Sequence, residues 1–276
     1  MIPAEIEPRT IDLPPTSDYP VVVATGPALR HRRFALRMQQ EFDVVGWLEI
    51  KPPSKRTLKR DWKQAPQLAA RLFRRLRKSR GEQAMLEKEV EVLSRDAKVQ
   101  PRKVATPNSQ EVIDWLAERQ PYFIVTLGGA VYGKKFIESA RGIALNQHDG
   151  WCPTYKGSGT VDWALYFRDI THIGNTVHVL TTGLDSGPML RRSTACLVPG
   201  DNRNTCFVRS VVLGTELMIE SMHELIATHK AVVFDQPDGV GATYLGRELQ
   251  DYMTSAIQRD FRAGWFKQEL ARWRQF

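Results

Sequence analysis

No run of apolar residues in this 276-residue chain approaches the ~18 that a membrane-spanning helix needs. The opening MIPAEIEPRTIDLPPTSDYP has neither the basic start nor the apolar core of a secretory signal. Cysteine is scarce. Cys152, Cys196 and Cys206 form no CxxC pair, which argues against a disulfide framework or a thiolate zinc site and favours a reducing, cytoplasmic setting. There is no internal repeat and no low-complexity tract. With 42% hydrophobic and 25% charged residues, the chain has the composition of a globular protein.

Acidic residues are nearly missing from one stretch. Residues 51–80 hold twelve Lys/Arg against one acid, Asp61, so this segment carries +11 in a chain whose net charge is +8. The protein reads as a near-neutral body with one basic segment. Such a segment attracts phosphates, nucleic acid or acidic lipid, or it is simply a solvated helix face.

The apolar pattern predicts an α/β fold. Val21–Thr25 is a β-branched run closed by Gly26-Pro27, a helical pattern with Leu29, Phe34, Leu36 and Met38 follows, and Val44–Ile50 is a second strand. That β-α-β opening begins a parallel sheet. The spacing of Leu68, Leu72 and Leu76, and of Leu86, Val90 and Leu93, predicts a basic helical insertion over about 55–100. A helix over 111–118 follows, then strands over 122–127, 142–148, 175–182 and 188–194 and a long helix from about Asn202 to Lys230. Residues 1–19 form an N-terminal lead and 20–230 the main domain. Residues 231–276 are a helical C-terminal extension that covers the body or builds a homodimer contact.

The informative stretch runs from Leu127 to Leu190. Asn146 and His148, two apart at a strand's carboxyl end, face one side together, where open α/β sheets place their ligands. Asp185 comes from a neighbouring loop. An Asn amide and an imidazole can stabilise an oxyanion or pass a proton, and an Asp can orient the imidazole, so the set suggests acyl transfer. No serine or cysteine sits in a nucleophile motif, which favours direct transfer over a covalent enzyme intermediate. Taken alone, such a pair more often serves as strand-end capping residues than in catalysis, and Asp185-x-Gly187 is an ordinary turn. His172 and His178 lack a third partner at metal spacing, and His178 reads as a structural strand histidine.

The whole string resembles the folate-dependent formyltransferase family, which includes glycinamide ribonucleotide transformylase, methionyl-tRNA formyltransferase and the sugar N-formyltransferases. The resemblance rests on Gly142, Asn146-x-His148, Pro153-x-Tyr155-Lys156-Gly157, Gly174-Asn175-Thr176-Val177-His178 and Leu184-Asp185-Ser186-Gly187-Pro188. The chain departs from it at Asp149-Gly150-Trp151-Cys152, where many members carry Ser-Leu-Leu, and at 55–100. The resemblance implies a Rossmann-like, mostly parallel sheet with flanking helices. It implies a catalytic triad of Asn146, His148 and Asp185, with 10-formyltetrahydrofolate as the formyl donor and no metal. The donor's pterin would be held through main-chain groups of Ala130, Val131 and Tyr132 and of Thr181, Thr182, Gly183 and Leu184.

The acceptor is a matter of type within the family. The tail is expected to be too short for the β-barrel domain of methionyl-tRNA formyltransferases. Pro153-x-Tyr155-Lys156-Gly157 with Trp163 is similar to the sugar N-formyltransferases. A nucleotide-linked amino sugar is therefore the implied acceptor, with Trp151 and Tyr155 stacking on base or sugar and Lys156, or arginines of the insertion, meeting the pyrophosphate. Tyr155 and Trp163 also read as core and rim aromatics. Nucleic acid is not the expected partner. A methionyl-tRNA formyltransferase-like enzyme, and a non-catalytic folate-fold module using its basic helix, remain the alternatives.

Overall fold

The computed structural model describes residues 7–51, 81–128 and 130–273. The expected helix around Leu68, Leu72 and Leu76, and nearly all of the basic segment, fall outside the described residues.

Eleven strands are described: β1 (Pro8–Asp12), β2 (Val21–Thr25), β3 (Val44–Ile50), β4 (Arg102–Val104), β5 (Phe123–Leu127), β6 (Ile143–His148), β7 (Tyr155–Gly157), β8 (Gly174–Val179), β9 (Met189–Thr194), β10 (Lys230–Phe234) and β11 (Ala242–Tyr244). Nine form one sheet in the order β1-β10-β9-β8-β6-β5-β2-β3-β4, and β11 and β7 make a separate parallel pair. From β6 to β4 all pairings are parallel. From β6 through β8, β9 and β10 to β1 each pairing is antiparallel. Only β8 and β10 therefore run against the common direction.

β2 and β5 are buried at every residue, as strands covered on both faces must be. Alternate side chains feed two cores. On one face, Phe34 and Met38 of α1 (Leu29–Glu41) and Val211, Met218 and Met222 of α6 (Arg203–Thr228) pack on Val21, Val23, Val125, Leu145 and Val177. On the other, Val112 and Leu116 of α3 (Gln110–Arg119) and Phe136 of α4 (Lys134–Ile137) meet Val22, Ala24, Leu48 and Ile124. Each such burial contributes about 1.5–3 kcal/mol over exposure. The long helix α6 starts where the Asn202 side chain accepts from the Asn204 and Thr205 amides, satisfying donors that a helix start leaves unpaired.

The described part of the insertion is a helix, α2, over 81–95. Its Leu86, Val90 and Leu93 are buried against Leu36 of α1 and Val208 of α6, while Glu89 meets the buried Arg33 at 2.8 Å.

The lead and the extension both enter the main body. Residues 8–12 form an edge strand against β10, fastened by an exposed Arg9–Asp235 ion pair of 2.7 Å. Beyond β10, α7 (Asp251–Arg262) and α8 (Trp265–Trp273) bury Met253, Ile257, Phe266 and Leu270 with Trp163 and Leu165 of α5 (Thr160–Tyr166). Among the described residues, no helix is long and apolar enough to cross a membrane.

Candidate active site

β6 ends where the sheet changes from parallel to antiparallel pairing. Register sets the site: Asn146 lies opposite Thr126 of β5 on one side and opposite His178 of β8 on the other, and His148 lies opposite Thr176. Thr126 Oγ1 donates to Asn146 Oδ1 at 2.7 Å. That leaves the amide nitrogen to donate to His178 Nε2 at 3.0 Å and, over a longer 3.4 Å, to Asp185 Oδ1. His178 Nδ1 donates to the Val179 carbonyl at 2.9 Å, which makes Nε2 the acceptor of the Asn146 bond.

His148 is held at both ring nitrogens. Nε2 donates to the Tyr155 carbonyl at 2.9 Å, and Nδ1 stands 3.4 Å from Asp185 Oδ2. Gly150 makes this seat possible, because a Cβ there would lie 2.3 Å from His148 Nε2.

Asp185 sits in the loop between β8 and β9 and is buried. Its Oδ2 accepts from the Gly157 amide at 2.8 Å. Burial pushes its pKa up, but the neighbouring imidazoles, His148 foremost, and the Gly157 amide outweigh that push and hold the carboxyl at about 2. It is a carboxylate throughout the neutral range.

Asn146, His148 and Asp185 open into one cavity of about 720 Å³, within the size range of ligand pockets. Ala130, Val131, Tyr132, Thr181, Thr182, Gly183 and Leu184 all line it. Val131 and Leu184, 70% and 49% exposed, present apolar surface at these two loops.

The structure does not bring the expected acceptor residues to this cavity. Trp151 is buried beneath the Arg192 guanidinium, 4.3 Å from its ring centre. Tyr155 is buried, stacks on Tyr244 at 5.4 Å and donates its hydroxyl to Asp169 at 3.0 Å. Both are core residues of the α5–α7–α8 cluster, so the reading of them as ligand-stacking aromatics is corrected. Lys156 is half-buried in β7 and is not among the lining residues. Sequence reasoning missed Arg30, His31, Asp149 and Phe207, which do line the cavity, and it gave His178 a purely structural part. The Gly26-Pro27 turn before α1 was the available signal for the first two, since a strand-to-helix turn in an α/β sheet opens at its carboxyl edge. Among the described residues no group of three His, Cys, Asp or Glu is placed to hold a metal ion.

Residues 65–222, more than half of the chain, match the family model described as Formyl transferase. The chain belongs to the formyl transferase family. Over 127 residues this chain is 32% identical to the methionyl-tRNA formyltransferase of Trichlorobacter lovleyi, a match covering 46% of this chain and 39% of the relative. The match thus spans about two fifths of that relative's length. The fold is similar to phosphoribosylglycinamide formyltransferase from Bacillus halodurans (TM-score 0.52, 16% identity, 75% of this chain and 96% of that one). It is equally similar to a sugar 3N-formyl transferase solved in the presence of dTDP and 5-N-formyl-THF (TM-score 0.52, 11% identity, 85% and 72%).

Proposed function

We propose that this protein moves a formyl group from 10-formyltetrahydrofolate onto the amine of a nucleotide-linked amino sugar. The observation that carries the transfer reading is the convergence of Asn146, His148 and an ionised Asp185 on one cavity whose wall includes the two loops expected to hold the donor.

The donor supplies an electrophilic formyl carbon and a nitrogen leaving group. Asn146 provides an N–H at the developing oxyanion: its bond to Asp185 is long, at 3.4 Å, so that hydrogen can turn to a ligand at small loss. His148, beside the Asp185 carboxylate, supplies positive charge to the same oxygen when both its nitrogens are protonated. Asp185 accepts the proton that the attacking amine loses, through a water, and the proton returns to the departing donor nitrogen. One C–N bond forms, one breaks, and no net proton is consumed.

The acceptor reading rests on lining chemistry. Arg30 and His31, in the first turn of α1, line the cavity, where a cation and a helix N-terminus favour an anionic group. A sugar 3N-formyl transferase of similar fold was solved with a nucleoside diphosphate, which is the kind of anion such a pocket end suits. The sequence relatives support a second acceptor, methionyl-tRNA.

A panel of nucleotide-linked 3-amino and 4-amino sugars, with charged initiator tRNA alongside, incubated with the donor and read for mass gain of one formyl group, decides between them. Formylation of a sugar alone supports this reading, and formylation of the tRNA alone replaces it with the second.

A further inference from the structure

We propose that residues 236–246, beyond the family-matched stretch 65–222, belong to the catalytic apparatus, with Gln236 as the residue that positions Asp185. The inference rests on the formyl-transfer reading above and adds to it a part supplied by the C-terminal extension.

Asp185 adopts φ 47°, in the left-handed region, which non-glycine residues occupy only when their surroundings hold them there. Its carbonyl is turned inward and must find a donor. Gln236 Nε2 donates to the Asp185 carbonyl and to the Gly187 carbonyl, each at 2.8 Å. The Cys152 thiol, at 3.6 Å, is a weaker third party. A primary amide has two N–H groups, and here each is spent on one carbonyl of the same turn. The clamp spans Asp185-Ser186-Gly187 and so fixes the backbone that aims the carboxylate. Gln236 is itself set by the sheet, since it follows β10 by two residues and Phe234 of β10 pairs with Met189 of β9.

The extension grips the other end of the same residue through β7. β11 pairs with β7 in register, Tyr244 opposite Gly157. Gly157, at φ 99°, passes so close that a Cβ would lie 2.0 Å from the Tyr244 carbonyl. The Ser158 amide donates to that carbonyl at 2.8 Å, and the Gly246 amide to Ser158 Oγ at 2.7 Å. The β7 segment held in this way presents the Gly157 N–H to Asp185 Oδ2. Carbonyl and carboxylate of one catalytic residue are thus both fixed by residues 236–246.

The test compares Gln236→Leu, which keeps bulk and removes both donors, and Gln236→Glu, which keeps shape and replaces the donors by acceptors, with Asp235→Ala as control. Asp235 is the adjacent residue and its ion pair with Arg9 is exposed, so its loss perturbs the same edge without touching the loop. Both Gln236 variants should lose about tenfold or more in kcat, the scale of a small misplacement of a reacting group, with the KM of donor and acceptor within about twofold of wild type. Asp235→Ala should keep wild-type kcat. Amide hydrogen exchange over 181–188 reads the clamp without turnover. It should accelerate by about tenfold in Gln236→Leu and stay unchanged in Asp235→Ala. Unchanged exchange in Gln236→Leu, or a kcat within about threefold of wild type, overturns the positioning role. A wild-type protein that forms no product, with exchange still accelerated in Gln236→Leu, overturns the transfer reading and leaves the clamp standing.

Discussion

Asn146 and His178 face each other across β6 and β8, with 3.0 Å between Nδ2 and Nε2. With Thr126 accepting no share of that nitrogen and donating to Oδ1 instead, the Asn146 amide has one orientation, and its second hydrogen points along the line of Asp185. His178 therefore acts through Asn146. His178→Leu removes the acceptor and should lower kcat by about tenfold, while His178→Gln, which can offer an amide oxygen in its place, should recover part of the loss. Initial rates at saturating donor and acceptor check this, and a Leu variant with wild-type kcat would remove His178 from the site's working parts.

The loops lining the cavity at 130–132 and 181–184 are expected to bind the donor through main-chain groups. A Cβ at Gly183 would lie 2.2 Å from Ser186 Oγ, a hydroxyl that can turn aside, so the substitution that registers at this turn is one that changes the backbone itself. Gly183→Pro should weaken binding of a non-reactive folate analogue by roughly tenfold or more, and Thr182→Ala, an exposed side chain, should leave it within about twofold. Calorimetry on the two variants gives the comparison, and equal affinities contradict the assignment.

Arg30 lines the cavity while bonded to Glu82 of α2 at 2.6 Å. If it meets an acceptor phosphate, Arg30→Met should raise the acceptor KM by about tenfold and leave donor affinity alone. A donor-side defect of equal size would place the acceptor elsewhere.

Asp185 ties stability to acid pH. Its folded pKa of about 2 lies below the ordinary 3.8, so its ionised form stabilises the fold above the unfolded value, and the contribution disappears as pH falls through the folded one. The difference corresponds to about 2 kcal/mol. Asp185→Asn should therefore show a shallower loss of stability than wild type between about pH 5 and pH 2, measured by denaturant unfolding. Parallel curves would mean that the carboxylate is not held by its histidine neighbours.

Much of this architecture is legible in the sequence, because β2 and β5 are short, nearly continuous apolar runs bounded by turn residues, as strands buried on both faces are, and Ile143-Ala144-Leu145 opens β6 in the same way. Asn146, His148 and Asp185 are legible through the spacing of the motifs around them. His178 is hidden for a simple reason: in β8 it alternates with Val177 and Val179 as any strand residue does, and only the antiparallel register sets it against Asn146. Trp151 and Tyr155 mislead in the opposite way. An aromatic near a catalytic strand looks like a stacking surface until α7 and α8, some hundred residues away in sequence, are found packed on the same cluster. Strand β1 is short, proline-led and exposed, an edge with no apolar pattern to announce it.

Release of tetrahydrofolate from 10-formyltetrahydrofolate, followed with and without a nucleotide-linked amino sugar, tests the proposed chemistry most directly when wild type is set beside Asn146→Ala, His148→Ala and Asp185→Asn. Wild type should release it only when the amine is present. Each variant should lose about 10²–10³ in rate while folding normally and binding a folate analogue within a few-fold of wild type. Release at the wild-type rate from any of the three soluble variants, or none from wild type with any amine, would contradict the assignment of Asn146, His148 and Asp185 to formyl transfer.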